Sequence, residues 1–252
     1  MIQEPFATGS SHIHCLDPRL KILFATAYSF IVALSNRFPA LFAALMLSLL
    51  LIGLARLNVW KVAKRVALVN GLILFLWLVL PLTFEGTPLF HLGPLSVTRE
   101  GVLLCARISL KSNAILLIFI AFVSTMPITT LGHAMNRLRL PGKLIHLLLL
   151  TYRYLFVIDQ EYQRLVRAAK IRGFRPKTTI NTYRTYAYLM GMLFVRASAR
   201  AERVHHAMVC RGFDGRFYCL RHFSPTRTDW VWSAFMISII LGLLSLEWTR
   251  II

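Results

Sequence analysis

The sequence predicts an all-α integral membrane protein, with about five transmembrane helices and a cytoplasmic module of long amphipathic helices between the fourth and fifth spans. Three observations carry this. Hydrophobic residues make up 57% of the 252 residues and charged residues 15%, against roughly 45–50% and 25% in soluble domains, and the mean hydropathy is +0.62. Apolar stretches close to spanning length recur along the chain. The net charge of +19 is concentrated, because residues 128–229 hold 18 of the 29 Lys and Arg but 5 of the 10 Asp and Glu, leaving +13 there. Such a chain is neither soluble nor disordered. Its four cysteines (Cys15, Cys105, Cys210, Cys219) contain no C-x-x-C pair, so neither a zinc ribbon nor a disulfide framework is indicated.

The spans follow in order. A crossing helix needs roughly 20 apolar residues, with about 17 as the lower limit. Leu20–Ser35 is short and contains Lys21, whose ammonium is expected to snorkel to the interface. Phe38–Leu54 and Val66–Phe84 come next, then Ser112–Met126, the apolar part of a longer fourth helix. Trp230–Leu246 closes the series, with Trp230, Trp232 and Trp248 placed as interfacial anchors. The opening residues MIQEPFATGSSHIH lack the basic start and apolar core of a cleaved signal peptide.

Orientation follows from the basic residues. Arg56, Lys61, Lys64 and Arg65 follow the second span, whereas Glu85–Thr98 contains no Lys or Arg. The N-terminus and the 56–65 loop are therefore expected inside, and 85–98 outside as a long Gly/Pro-bearing loop. Residues 128–229 then fall inside. This divides the chain into N-terminal transmembrane helices over 1–127, a cytoplasmic coupling module over 128–229, and a last transmembrane helix over 230–252. Leu144–Ile158 is apolar but carries Arg153 and is flanked by basic clusters. It is expected to lie buried against the membrane face of the protein rather than to cross.

The module reads as two long helices. The first starts at Pro141-Gly142 and runs to about Ile171, with Leu155, Ile158, Tyr162, Leu165 and Ala169 at alternating steps of three and four. The second runs from Thr178–Asn181 to about Cys210, striped by Tyr186, Met190, Leu193, Ala197, Ala201, Val204 and Met208. Arg196, Arg200 and Arg203 form a basic row along it. Both helices end alike, in Ile171-Arg172-Gly173-Phe174 and Cys210-Arg211-Gly212-Phe213. One reading is an ordinary stop, with Gly at C′ and Arg complementing the macrodipole. The other is a pair of equivalent arginines offered to a partner with two equivalent pockets, as a symmetric dimer has.

These residues carry a resemblance. The chain is similar to the T component of energy-coupling-factor (ECF) transporters, specifically the cobalt/nickel type called CbiQ or NikQ. The matching pieces are Leu16-Asp17-Pro18-Arg19-Leu20-Lys21, the run Ser124–Leu144, and the paired Arg-Gly motifs. The second of these, Arg211 to Phe217 (RGFDGRF), resembles the longer form of the metal-uptake branch. The resemblance implies a non-catalytic permease subunit of a prokaryotic cell (inner) membrane. It implies that Arg172 and Arg211, each followed by Gly173 or Gly212, dock into grooves on an ABC-type ATPase dimer. ATP-driven motion would then pass to a membrane S component (CbiM/NikM-like) for uptake of cobalt or nickel, with a small accessory membrane subunit as a possible further partner. ATP and Mg belong to the ATPase on this view, and the chain binds no cofactor itself. Consistent with that, the sequence contains no G-x-x-x-x-G-K-[ST] phosphate loop.

Other residues invite chemistry. His12, His14 and Cys15 suit nickel or cobalt by ligand type, but the resemblance gives metal capture to the S component, so no metal site is assigned. His205 and His206 lie on adjacent helix faces and cannot share one metal. Arg107 and Lys111 fall in the fourth helix near its outer end, where snorkelling is expected. A lipid-modifying enzyme would need a cluster of acid–base groups at the interface, and the acidic residues are scattered apart from Asp159 and Glu161; no catalytic residue is assigned. Nucleic acid is not expected, because the apolar stripes of the basic module call for protein or lipid contact. A T component shared by vitamin-type S components is the alternative within the family.

Overall fold

The computed structural model describes residues 11, 13, 16–84, 87–92, 95–138, 140–213, 215 and 227–248. Among them are eight helices and one hairpin: α1 (Pro18–Leu34), α2 (Phe38–Leu54), α3 (Val59–Thr83), β1 (Pro88–Leu92), β2 (Leu95–Thr98), α4 (Arg99–Phe122), α5 (Ile128–Arg137), α6 (Gly142–Ile171), α7 (Ile180–Cys210) and α8 (Arg227–Trp248). The chain is an all-α membrane protein with this one small β element. Three helices are long and apolar enough to cross a membrane, over Val59–Thr83, Arg99–Phe122 and Thr228–Glu247. The helices α1 and α2 have 17 residues each, the lower limit for spanning. Helix α6, which holds Leu144–Ile158, is not among the spanning candidates.

Two compact units are distinguished. One comprises Glu4–Ala134 with Phe223–Ile252, the other Met135–His222. The boundary falls inside α5, a few residues beyond the sequence-based division at 128.

In the first unit, α4 packs against α1, α2 and α3, and α8 packs against α1 and α2. Small residues sit where the backbones approach, with Ala25, Ala44, Ala114 and Ala121 all buried. Phe24, Val32, Leu41, Leu51, Ile118 and Leu243 fill the space around them. The Tyr28 hydroxyl donates to the Ala44 carbonyl at 2.6 Å, satisfying a polar group in an apolar core.

The motif before α1 is a helix start. Pro18 occupies the first turn and the Asp17 carboxylate accepts from Arg19 N–H at 3.0 Å. Asp229 near the start of α8 accepts from Asp17 N–H at 3.0 Å. At the other end, Glu247 of α8 accepts from the Ser35 hydroxyl at 2.7 Å and from Asn36 N–H at 3.2 Å. The first and last helices therefore run parallel, start beside start and end beside end.

Two sequence expectations about charge are corrected. Lys21 is 2% exposed and belongs to the buried interior of this unit, not to a snorkelling rim. Lys111 does not reach outward along lipid either. Its ammonium donates to the Ala33 carbonyl at 2.8 Å and to Asn36 Oδ1 at 3.1 Å, capping the open C-terminal end of α1. Beside it, the Arg107 guanidinium lies over the Phe38 ring, 5.3 Å from its centroid.

The expected 85–98 loop contains a hairpin. β1 and β2 pair antiparallel with His91 opposite Ser96 and Leu92 opposite Leu95, and the register is irregular between Pro88 and Phe90. Thr87 ties its base to α4, its N–H and hydroxyl both donating to Glu100. Where α3 meets α4, Gly101 lies so close to Pro81 that a Cβ there would stand 2.8 Å from the Pro81 Cα. Polar pairs continue along this contact, with Trp77 Nε1 donating to Ser109 Oγ at 2.8 Å and Asn113 Nδ2 to Asn70 Oδ1 at 3.0 Å.

Candidate functional site

The second unit carries the residues singled out in the sequence. α6 has 30 residues and α7 has 31, close to the expected bounds. Each buries a single side chain, Ile145 in α6 and Thr182 in α7. The expectation that 144–158 is buried is therefore not met within this unit, where Leu144, Leu147 and Leu155 are exposed. The apolar stripes exist, but the two helices use little of them on each other.

Two contacts between the helices stand out among the described residues. Phe174, just past α6, meets Tyr186 of α7 edge to face with ring centroids 5.6 Å apart. Farther along, Arg196 of α7 forms a hydrogen-bonded ion pair with Glu161 of α6. Arg164, one turn on from Glu161, lies 3.5 Å from the same carboxylate. The hydrogen bond from Arg196, with the charges of Arg196, Arg164 and Arg200 behind it, holds the Glu161 carboxyl below the usual carboxylate range.

Beyond these contacts α6 and α7 leave a groove, a cavity of about 650 Å³. Leu147, Leu150 and Leu155 line one wall, Leu193, Val204 and Met208 the other. Lys143, His146, Glu161, Arg196, Arg200 and His205 are the charged and imidazole groups on its lining. His205 and His206 have ring centroids 6.0 Å apart and both are exposed. His12, His14 and Cys15 lie outside the described residues.

The two helix ends share the same pair of capping hydrogen bonds and differ in the arginine's own N–H, which reaches back four residues from Arg172 to the Ala168 carbonyl at 3.3 Å and three from Arg211 to the Met208 carbonyl at 3.0 Å. At the end of α6, Gly173 N–H donates to the Lys170 carbonyl at 3.0 Å and Phe174 N–H to the Ala169 carbonyl at 3.1 Å. At the end of α7, Gly212 N–H donates to the Val209 carbonyl at 2.9 Å and Phe213 N–H to the Met208 carbonyl at 3.1 Å. Each is a Schellman cap, with Arg at C-cap, Gly at C′ and Phe at C″. Gly173 has φ +86 and Gly212 φ +77, and a Cβ at either would meet nothing within 4 Å. Glycine is thus required by the backbone, not by crowding.

The cap leaves its arginine free. Arg172 and Arg211 are exposed and make no hydrogen bond or ion pair through their side chains among the described residues. The motif accordingly does two things at once. Gly and Phe stop the helix rigidly, and Arg projects a permanently charged planar fork from the stop. Sequence reasoning gave roles to Arg and Gly; it quoted Phe174 and Phe213 in the repeat without assigning them one. It missed the Glu161–Arg196 pair, because the two residues are 35 positions apart. Residues 214 and 216–217 of the second motif lie outside the described residues.

Known proteins give the same residues a context. A family model described as CbiQ, cobalt transport protein, matches residues 9–219. The energy-coupling factor transporter transmembrane protein EcfT of Streptococcus equi subsp. equi is 29% identical over 228 residues, covering 85% of this chain and 84% of that protein. EcfT of Bacillus subtilis is 26% identical over 226 residues, covering 85% of each chain. EcfT of Lacticaseibacillus paracasei is 28% identical over 261 aligned positions, covering 96% of each.

Proposed function

Because the chain belongs to the CbiQ cobalt transport protein family, and is a T component of an ECF transporter, we propose that it transmits force from an ATPase dimer to a substrate-binding S component through Arg172 and Arg211. The observation that carries this reading is the pair of matching Schellman caps. Two arginines on matching caps, each with a side chain unengaged among the described residues, suit a partner that offers the same groove twice. Arg can pair bidentately with a carboxylate in such a groove, and a Schellman stop gives it a stiff mount. The chain supplies no catalytic group on this reading. ATP and Mg reside in the partner, and a small accessory membrane subunit is a further candidate component of the complex.

The substrate assigned is cobalt or nickel, captured by a CbiM/NikM-like S component. The description of the matching family and the RGFDGRF form of the second motif support it. A second reading has its own observation, since the relatives named above are EcfT proteins whose names specify no metal. A T component serving vitamin-type S components follows from that.

The α6–α7 unit is assigned to the cytoplasmic side of a prokaryotic cell membrane. The parallel course of α1 and α8 puts both their starts on one side of the bilayer, and the +13 charge of residues 128–229 favours the inner side.

Co-purification of the tagged chain from its native membranes tests the reading. An ABC-type ATPase and a small membrane protein are expected with it, and the small protein names the substrate. Arg172→Ala or Arg211→Ala is expected to lower uptake into vesicles several-fold and weaken ATPase retention, with the double variant nearly inactive. Membrane content of the variants should stay unchanged. Normal uptake by the double variant would overturn the assignment.

A further inference from the structure

We propose that Asp229 is a positioning residue for transport: its buried carboxylate pins the start of α8 to the start of α1 in register, so that α8 passes on displacement instead of giving way. Its transport role rests on the coupling reading above, whereas its structural role does not.

The seam of α8 carries the inference. Asp229, Met236 and Leu243 are the buried side chains of this helix among the described residues, and they recur every seven positions. Trp232 and Ile239, three residues beyond the first two, are partly buried against the same core. That is one narrow a/d seam, by which α8 packs against α1 and α2. Apolar contacts are non-directional and tolerate a shift along the helix axis. A polar group at a single a position is what specifies register, at a cost in stability. Asp229 is that group. Its Oδ1 accepts from Asp17 N–H at 3.0 Å, and a slip of one turn, about 5.4 Å, would part a buried carboxylate from a buried donor.

The placement of charge agrees. Among the described residues the buried charged side chains are Asp17, Lys21 and Asp229, all within about one turn of the starts of α1 and α8. Well-packed apolar residues often hold two helices as firmly as buried charges do, so charge at this point serves to place the contact. In chain order α8 is also the helix that follows the Arg211 cap. A displacement of that cap reaches the membrane helices at α8, and the pinned start hands it to α1.

The test puts spin labels on Pro18→Cys and Thr228→Cys in the full chain, with its four native cysteines replaced by serine. In nanodiscs the chain alone should give one narrow separation, and Asp229→Ala should broaden it. Glu247 still ties the far end to Ser35 and Asn36, so it is the start of α8 that should swing. Tyr28→Phe, which removes a different buried hydrogen bond of α1, should leave the separation narrow. No broadening in Asp229→Ala overturns the proposal.

The second readout uses the complex with its ATPase in vesicles. Asp229→Ala should retain the ATPase and its rate of hydrolysis while uptake per ATP falls several-fold, and Tyr28→Phe should leave that ratio unchanged. Joining the two cysteines with a short bismaleimide should restore the ratio in Asp229→Ala. Uptake and hydrolysis that fall together, or a ratio the cross-link leaves low, overturns the transport role. With Asp229 intact, the label separation should be the same with and without ATP on the complex; a change on adding ATP overturns the proposal without any Asp229 variant. ATPase retention by the Arg172 and Arg211 variants reads the coupling assignment by itself, so the two fail separately.

Discussion

Gly173 and Gly212 are held at positive φ with open space around them, whereas Gly101 is needed because Pro81 leaves no room. The two kinds of glycine predict different failures. Ala at 173 or 212 meets backbone strain of about 1–2 kcal/mol, which one turn can relieve by fraying. The expected result is faster amide hydrogen exchange over the last turn of α6 or α7, unchanged global stability, and uptake reduced because the arginine loses its mount. Asn, which tolerates this backbone better than Ala, should restore much of the loss. Gly101→Ala instead forces α3 and α4 apart and should cost about 1–3 kcal/mol, read as a lower thermal midpoint in detergent. At this scale the sequence was partly legible. A repeated Arg-Gly-Phe after long apolar stripes marks a helix stop from local rules alone. Lys21 and Lys111 were not legible, because hydropathy treats a charge in an apolar run as a cost to be moved toward water. Whether a helix end lies within reach, as the Ala33 carbonyl does for Lys111, is decided by packing between distant segments.

The long helices α6 and α7 were readable in extent and amphipathicity, but what their stripes face was not. Periodicity says that a face is apolar without saying what covers it, and here each helix buries one residue. Their link through Glu161 yields a pH prediction. Since pairing with arginine lowers the Glu161 carboxyl in the folded chain, its contribution is complete at pH values above the unfolded value of about 4.3. It is lost as the pH falls through the lowered folded value. Spin labels on α6 and α7 should therefore report a constant separation from neutral pH down to about 4 and a wider distribution below that. Glu161→Gln should give the wider distribution at neutral pH and no acid response. The hairpin β1–β2 shows a different limit. Gly93-Pro94 between two short runs is a hairpin signal, but it was outweighed by the Gly and Pro residues around it, which favour an irregular loop.

Across the whole molecule, the final helix is fastened to the first at both ends, through Asp229 with Asp17 and through Glu247 with Ser35 and Asn36. The course of the spans follows from composition, but this closure joins residues more than 200 positions apart and leaves no local trace. It predicts sidedness. In a chain whose four native cysteines are replaced by serine, a single cysteine introduced at Leu140 should react with an impermeant maleimide only from the inner face, and one at Pro88 only from the outer face. Labelling of both from one side would break the assigned topology. The unequal helices have a further consequence for the lipid around them. At 17 residues, α1 and α2 each rise about 25 Å, while the 25 residues of α3 rise about 37 Å, and the hydrocarbon is about 30 Å thick. In α3 the first two turns carry Lys61, Lys64 and Arg65, and the apolar run Val66–Thr83 rises about 27 Å, so the mismatch is greatest beside α1 and α2, where the bilayer is drawn thin. A second membrane subunit arriving on the short flank meets lipid already thinned, and the rate of uptake should rise in bilayers of shorter acyl chains.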